Sequence, residues 1–160
     1  MDTVKNIVAK HKIGFVYGQN FSIGANIFFK ITAYVSQLVN KFEGYDVYGF
    51  EVHHTGKKDS PSGTAKKLSQ IVLENFPEKK QVQESKLDRQ ILKEEFHFAS
   101  IRAGRNPGRH EIVFDSAADQ ISLFHQVHNR RGFAEGALLA ARVIKDKKGF
   151  FNFNEVLERR

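Results

Sequence analysis

The sequence contains no cysteine. That excludes disulfides, thiolate nucleophiles and cysteine-ligated metals, and it is compatible with a cytoplasmic protein. No stretch approaches the roughly 18–20 apolar residues of a membrane span. Met1 to Lys12 lacks the apolar run that a signal peptide needs. There is no internal repeat, no low-complexity segment and no aromatic RNA-binding signature. The net charge is +7, but the lysines are dispersed (Lys57-Lys58, Lys66-Lys67, Lys79-Lys80, Lys145 to Lys148). A dispersed positive charge fits a solvated surface or attraction of a small polyanion better than a nucleic-acid arm. No nucleic-acid or membrane partner is expected. What is present is ordinary for a soluble globular protein: 41% hydrophobic and 27% charged residues in 160 positions, enough for one domain with a core.

Ile13 to Tyr17 is a short apolar run that reads as a buried strand. Ser22 then caps a helix with apolar residues at Ile23, Ile27, Ile31, Val35, Leu38 and Phe42, ended by Gly44. Asp46 to His54 alternates as a strand, with Val47, Gly49, Glu51 and His53 on one face. Thr64 to Asn75 reads as a helix with Ala65, Leu68, Ile71 and Val72 inward. Residues 76 to 95 are polar and read as an excursion or loop. Phe96 to Ala103, Gly108 to Asp115 and Gln120 to His128 read as strands. The turn Gly104 to Gly108 suggests a hairpin between the first two. Arg131 to Lys145 is a third helix, with Phe133, Ala137, Leu138, Ala141 and Ile144 at helical spacing, and residues 146–160 form a tail. The expected fold is α+β: an open mixed or antiparallel sheet of about four strands with helices packed on one face.

The densest chemistry lies where the second strand ends, loops and enters a helix, from Glu51 to Ala65. Ser62-Gly63-Thr64 offers backbone N–H groups and hydroxyls at a helix start, which suits a carboxylate or phosphate. Plain helix capping explains the same residues. His53 and His54 point to opposite sides of the strand, so only one can face a site as a proton donor. Lys57 stands across the loop, able to hold an anion or remain solvated. The adjacent histidines diverge and have no third ligand at suitable spacing, so no metal is expected. A second cluster joins Ser100-Ile101-Arg102-Ala103-Gly104 to Gly108-Arg109-His110. Arg102 and His110 flank a turn and can approach each other. A third runs from His125 to Arg130.

Glu51-Val52-His53-His54-Thr55-Gly56-Lys57-Lys58-Asp59-Ser60-Pro61-Ser62-Gly63-Thr64-Ala65 resembles the signature of the dihydrodipicolinate reductase family. Three further segments agree in order: Asn20 to Gly24, then Ser100 to Gly104 with Gly108 and His110, then His125 with Arg130, Phe133-Ala134, Gly136 and Ala137. Four ordered motifs over about residues 13 to 145 are far more specific than any one alone.

The resemblance implies an NADH- or NADPH-dependent reduction of a cyclic dicarboxylate in lysine and diaminopimelate biosynthesis. His53 would donate the proton and Lys57 would assist it. His54, Lys57, Ser62, Gly63 and Thr64 would hold the substrate carboxylates. Asn20, Phe21 and Arg130 would meet the cofactor. The sheet would pair with copies of itself in a homotetramer. The glycine-rich dinucleotide fingerprint of the family is absent. Residues 1–20 are therefore expected to be a remnant of the nucleotide-binding domain, residues 21–145 the substrate and assembly domain, and 146–160 a tail. Thr55-Gly56 departs from the bulkier, more basic residues of the family, which would loosen one side of the anion pocket. The isolated chain is expected to be inactive, and a non-catalytic dicarboxylate-binding or oligomerisation module is the alternative.

Overall fold

The computed structural model describes residues 1–158, which divide into two compact units: Ile27–Asn129, and Met1–Asn26 together with the chain from Arg130. In the central unit, β2 (Asp46–His53), β3 (Gln81–Gln83), β4 (Glu95–Arg102), β5 (Arg109–Asp115) and β6 (Gln120–Gln126) form one sheet in the order β3-β4-β2-β5-β6. The sheet is mixed: β3, β4 and β2 run parallel, and β5 and β6 continue antiparallel. The expected class is thus observed, with β3 as a fifth, edge strand inside the segment read as an excursion.

The β4–β5 hairpin does not form. Both strands flank β2 instead, with Glu51 opposite Ser100 on one side and His110 on the other. The reason is burial. β2 carries an alternating row of Val47, Gly49, Glu51 and His53 that is fully covered only as an interior strand. The hairpin that does form joins β5 to β6 through residues 116–119, tightened by Ser116 and Asp119.

Helix α3 (Gly63–Asn75) follows from the sequence directly. Ser62 caps it by accepting from the Ala65 N–H at 3.1 Å, and Ala65, Leu68, Ile71 and Val72 are buried. Ala65, Leu68 and Val72 pack with Phe96, Phe98, Ile112 and Phe114 of the sheet. Gly49 is required in this layer, because a Cβ there would lie 2.8 Å from the Phe98 ring and 2.9 Å from Ile112. The excursion is anchored by buried Lys79, which bridges the Asp46 carboxylate and the Lys93 carbonyl, and by Glu95, which takes a bidentate pair from Arg89.

Helix α2 (Ile23–Val39) turns the other way from the reading of its periodicity. Ala25, Phe28, Thr32, Ser36 and Val39 are buried, whereas Ile27, Ile31, Leu38 and Phe42 are exposed. The helix also ends at Val39, before Gly44. Its small residues mark the packed side, where close approach of the backbone matters more than side-chain size.

In the terminal unit, α1 (Asp2–His11) precedes β1 (Gly14–Tyr17), which pairs in parallel with β7 (Gly149–Asn152). With one neighbour only, β1 is half-buried, and Phe15 is partly exposed rather than sealed in. Within the stretch read as a tail, β7 leads into α5 (Phe153–Glu158). Helix α4 (Arg131–Ile144) buries Gly136 and Ala140 and leaves Phe133 and Leu138 exposed, again opposite to the expected stripe. Gly136 sits so close to the Phe21 backbone that a Cβ would meet its carbonyl oxygen at 1.7 Å. Among the described residues, no helix is long and apolar enough to cross a membrane.

Candidate functional site

β2 delivers Glu51 and His53 to the same face, two residues apart, at its carboxyl end. That end is held in place by backbone bonds from the Ala103 N–H to the His53 carbonyl and from the His54 N–H to the Asn106 carbonyl. The chain then turns, with the Lys57 N–H donating to the His54 carbonyl, and enters α3 at Ser62.

Glu51 is completely buried. Its Oε1 accepts from the Ser62 N–H at 2.9 Å, the Ser100 hydroxyl at 2.9 Å and Arg102 Nη2 at 2.8 Å. Its Oε2 faces two histidines, His53 Nδ1 at 3.3 Å and His110 Nε2 at 3.2 Å. Burial alone would raise the Glu51 pKa, but His110, Ser62 and Arg102 outweigh it and hold the carboxyl well below the usual range. The carboxylate is therefore ionised at neutral pH, with Arg102 as its counter-charge. Arg102 also donates to the Asp59 carbonyl at 2.6 Å, tying the loop to the cluster.

His53 is buried, and its ring meets that of His110 edge-on at 5.1 Å. Burial pushes its pKa down to about 4. Glu51 opposes that shift, and the charges of His110, Lys57 and Arg102 add to it. His53 is thus neutral at pH 7. Its Nε2 lies over Gly108, where a Cβ would sit 3.0 Å away, and Gly108 has φ +151°. Only glycine meets both demands at this position.

Lys57 is largely buried and pairs with exposed Asp59 at 2.7 Å. His54 lies over Gly56, where a Cβ would meet its ring at ordinary contact distance, 3.4 Å. Gly63 is exposed, and a Cβ there would meet nothing within 4 Å. Ser62 is buried. Its hydroxyl caps α3 and lies 3.1 Å from His110 Nε2, and its N–H goes to Glu51. Capping thus accounts for Ser62, while Gly63 and Thr64 stand at the amino end of the helix.

The central unit therefore gathers His53, His54, Lys57, Ser62, Gly63 and Thr64 around one strand end. Asn20, Phe21 and Arg130 belong to the terminal unit. There Asn20 accepts from the Ser22 N–H at 2.8 Å, Phe21 packs on Phe153 at 4.8 Å, and exposed Arg130 stands at the N-cap of α4.

Sequence reasoning named Ser100, Arg102, Gly108 and His110 as a cluster but missed Glu51 as the hub that joins it to His53. Alternation already placed Glu51 beside His53, but the partners lie about fifty residues further along. It also weighed only the His53-His54 pair as metal ligands. Glu51, His53 and His110 bring three ligand atoms within 4.8 Å of one another, close enough for an ion. Arg102 already neutralises this carboxylate, so a divalent ion would add two uncompensated charges to a buried site.

A mixed five-stranded sheet that ends in a buried histidine–carboxylate cluster beside a helix N-terminus places the chain in the α+β class. The same fold occurs in dipicolinate-bound dihydrodipicolinate reductase from Paenisporosarcina sp. TG-14, with a TM-score of 0.71 at 22% identity, over 96% of this chain and 58% of that one. Residues 24–157 match the family model for the C-terminus of dihydrodipicolinate reductase. The chain is 37% identical over 153 residues to 4-hydroxy-tetrahydrodipicolinate reductase of Christiangramia forsetii, covering 96% of this chain and 62% of that protein. It is 32% identical over 158 residues to the enzyme of the same name from Methanococcus maripaludis, covering 97% and 57%. The chain belongs to the dihydrodipicolinate reductase family and spans about 60% of the length of these relatives.

Proposed function

We propose that this chain is the substrate-binding part of a 4-hydroxy-tetrahydrodipicolinate reductase, which reduces a cyclic dicarboxylate with NADH or NADPH. The observation that carries this reading is that His53, Lys57 and the amino end of α3 stand at one strand terminus. A substrate carboxylate would lie against the Gly63 and Thr64 N–H groups, where the helix dipole favours an anion. Lys57 and His54 would hold the opposite side. Ser62 contributes by fixing the helix start, since its own polar groups serve Ala65 and Glu51.

His53 is the proton donor in this scheme. It is neutral in the free chain, but a dianion placed beside it favours the protonated imidazole. The proton would then arrive with the substrate and be passed to the substrate ring. The nicotinamide cofactor, when bound, supplies the hydride. Asn20, Phe21 and Arg130 are the residues of this chain assigned to its nicotinamide end. Among the described residues there is no glycine-rich strand-to-helix turn to cradle the pyrophosphate. The chain alone is expected to turn over little or no substrate, and the terminal unit, with its parallel β1–β7 pair, is assigned to the nucleotide-binding side. Self-association into a tetramer is assigned to the sheet face opposite α3, which carries exposed Tyr48, Ile101 and Phe124.

The test is thermal melting with pyridine-2,6-dicarboxylate, a planar mimic of the substrate. A ligand bound only by the folded state raises the melting temperature by mass action. Wild type is expected to shift at millimolar ligand and Lys57→Ala to lose the shift. An equal shift in both proteins would remove Lys57 from the site.

A further inference from the structure

We infer that Glu51 is a positioning residue that holds His53 in the tautomer protonated at Nδ1, so that only Nε2 is open to exchange a proton with a ligand. This rests on the assignment of His53 as proton donor. The argument starts from the two oxygens of the buried carboxylate. Oε1 is committed as an acceptor to donors that cannot reverse: a backbone N–H from Ser62 and the guanidinium of Arg102, with the Ser100 hydroxyl beside them. Oε2 therefore lies 3.3 Å from His53 Nδ1 and 3.2 Å from His110 Nε2, approaches outside hydrogen-bond alignment, and neither Oε2 nor His53 Nδ1 has a hydrogen-bond partner elsewhere.

An ionised carboxylate can only accept. Each histidine nitrogen facing it is therefore the protonated one: Nδ1–H on His53 and Nε2–H on His110. Ser62 Oγ, 3.1 Å from the same His110 nitrogen, is already occupied as the cap of α3 and can accept from it as well. The result leaves His53 Nε2 bare, set against Gly108, where no side chain intervenes. The charged and titratable groups around His53 are Glu51, His110, Lys57 and Arg102. Among these groups Glu51 is placed against a ring nitrogen of His53, 3.3 Å from Nδ1, and so sets its tautomer.

Glu51→Gln gives a sharp expectation. The donors on Oε1 hold the amide oxygen on their side, which turns the amide NH2 toward both histidines. His53 Nδ1 must then accept, and the tautomer inverts to Nε2–H. The experiment is imidazole nitrogen NMR on 15N-histidine-labelled full chain at pH 7, with His53 assigned from a His53→Gln spectrum. The expected result is an Nδ1–H pattern for wild type and an Nε2–H pattern for Glu51→Gln. Glu51→Asp, which keeps an acceptor, is expected to retain the wild-type pattern.

A wild-type His53 protonated at Nε2, or a folded Glu51→Gln that keeps the wild-type pattern, would overturn the inference. The wild-type spectrum decides the matter even if the variants fail to fold. Pyridine-2,6-dicarboxylate separates the two readings. An Nδ1–H tautomer in a chain that does not bind this ligand leaves the positioning intact and removes the functional assignment. Binding to a chain with the Nε2–H tautomer does the reverse.

Discussion

His53 carries a consequence for stability that can be read from its surroundings. Burial is the largest influence on it and lowers its pKa from 6.5 to about 4. In the unfolded chain the imidazole returns to its ordinary value and binds its proton more tightly than in the fold. Acidification through 6.5 toward 4 therefore favours unfolding. His125 is shifted down by burial and by His110, so it acts with the same sign. Glu51 adds its own loss below about 4.5, where the unfolded carboxyl begins to take up a proton. The melting temperature is expected to fall from pH 6.5 to 4.5, with a shallower fall in His53→Gln. A flat profile across that window would contradict the burial of an uncharged His53. Gly108→Ala is a second test at this scale. It places a Cβ 3.0 Å from His53 Nε2 on a backbone at φ +151°. We expect a loss of about 1–3 kcal/mol in a denaturant titration, with dicarboxylate binding weakened as the ring is displaced.

At the scale of elements, the strands and the helices were legible to different degrees. Alternation in β2 correctly put Val47, Gly49, Glu51 and His53 on one face, because a strand has only two faces to choose between. Ser62 announced α3, and the buried side of that helix followed from its period. Helices α2 and α4 misled, because each has apolar residues on both sides. Period alone then cannot say which stripe packs, and the answer lay in the small residues Ala25, Thr32 and Ser36 in α2 and Gly136 and Ala140 in α4. The site was legible as a motif but not as a circuit. Arg102 and His110 do meet, but through Glu51 on a strand placed between them, and nothing local encodes that insertion. The α2 assignment has a direct check. Phe28→Ala is expected to lower stability by about 3–5 kcal/mol. Ile31→Ala, on the stripe that periodicity alone would bury, should stay within about 1 kcal/mol. Equal losses in the two variants would mean that both faces of α2 are packed.

For the molecule as a whole, the sheet has one side packed by helices and another that exposes Tyr48, Ile101 and Phe124, with Arg109 lying 5.2 Å from the Phe124 ring. Exposed aromatic and aliphatic groups on a sheet face are what sheet-to-sheet association buries. Phe124→Glu is expected to lower the molar mass measured by light scattering to that of a smaller species, without unfolding the chain. An unchanged mass would remove this face from the proposed tetramer.

The place of β2 in the sheet also bears on how the protein comes into being. The strand is synthesised before its partners: the groups that enclose its buried carboxylate arrive 49 and 51 residues later with Ser100 and Arg102, and β5 follows them. Pairings of such long sequence separation close slowly. While the chain emerges from a ribosome, Glu51 and His53 must stay in water until residues up to Asp115 have left the exit tunnel. The histidine–carboxylate cluster therefore cannot precede the core. Both are completed in the same closing event, when β4 and β5 settle on either side of a strand that has waited for them.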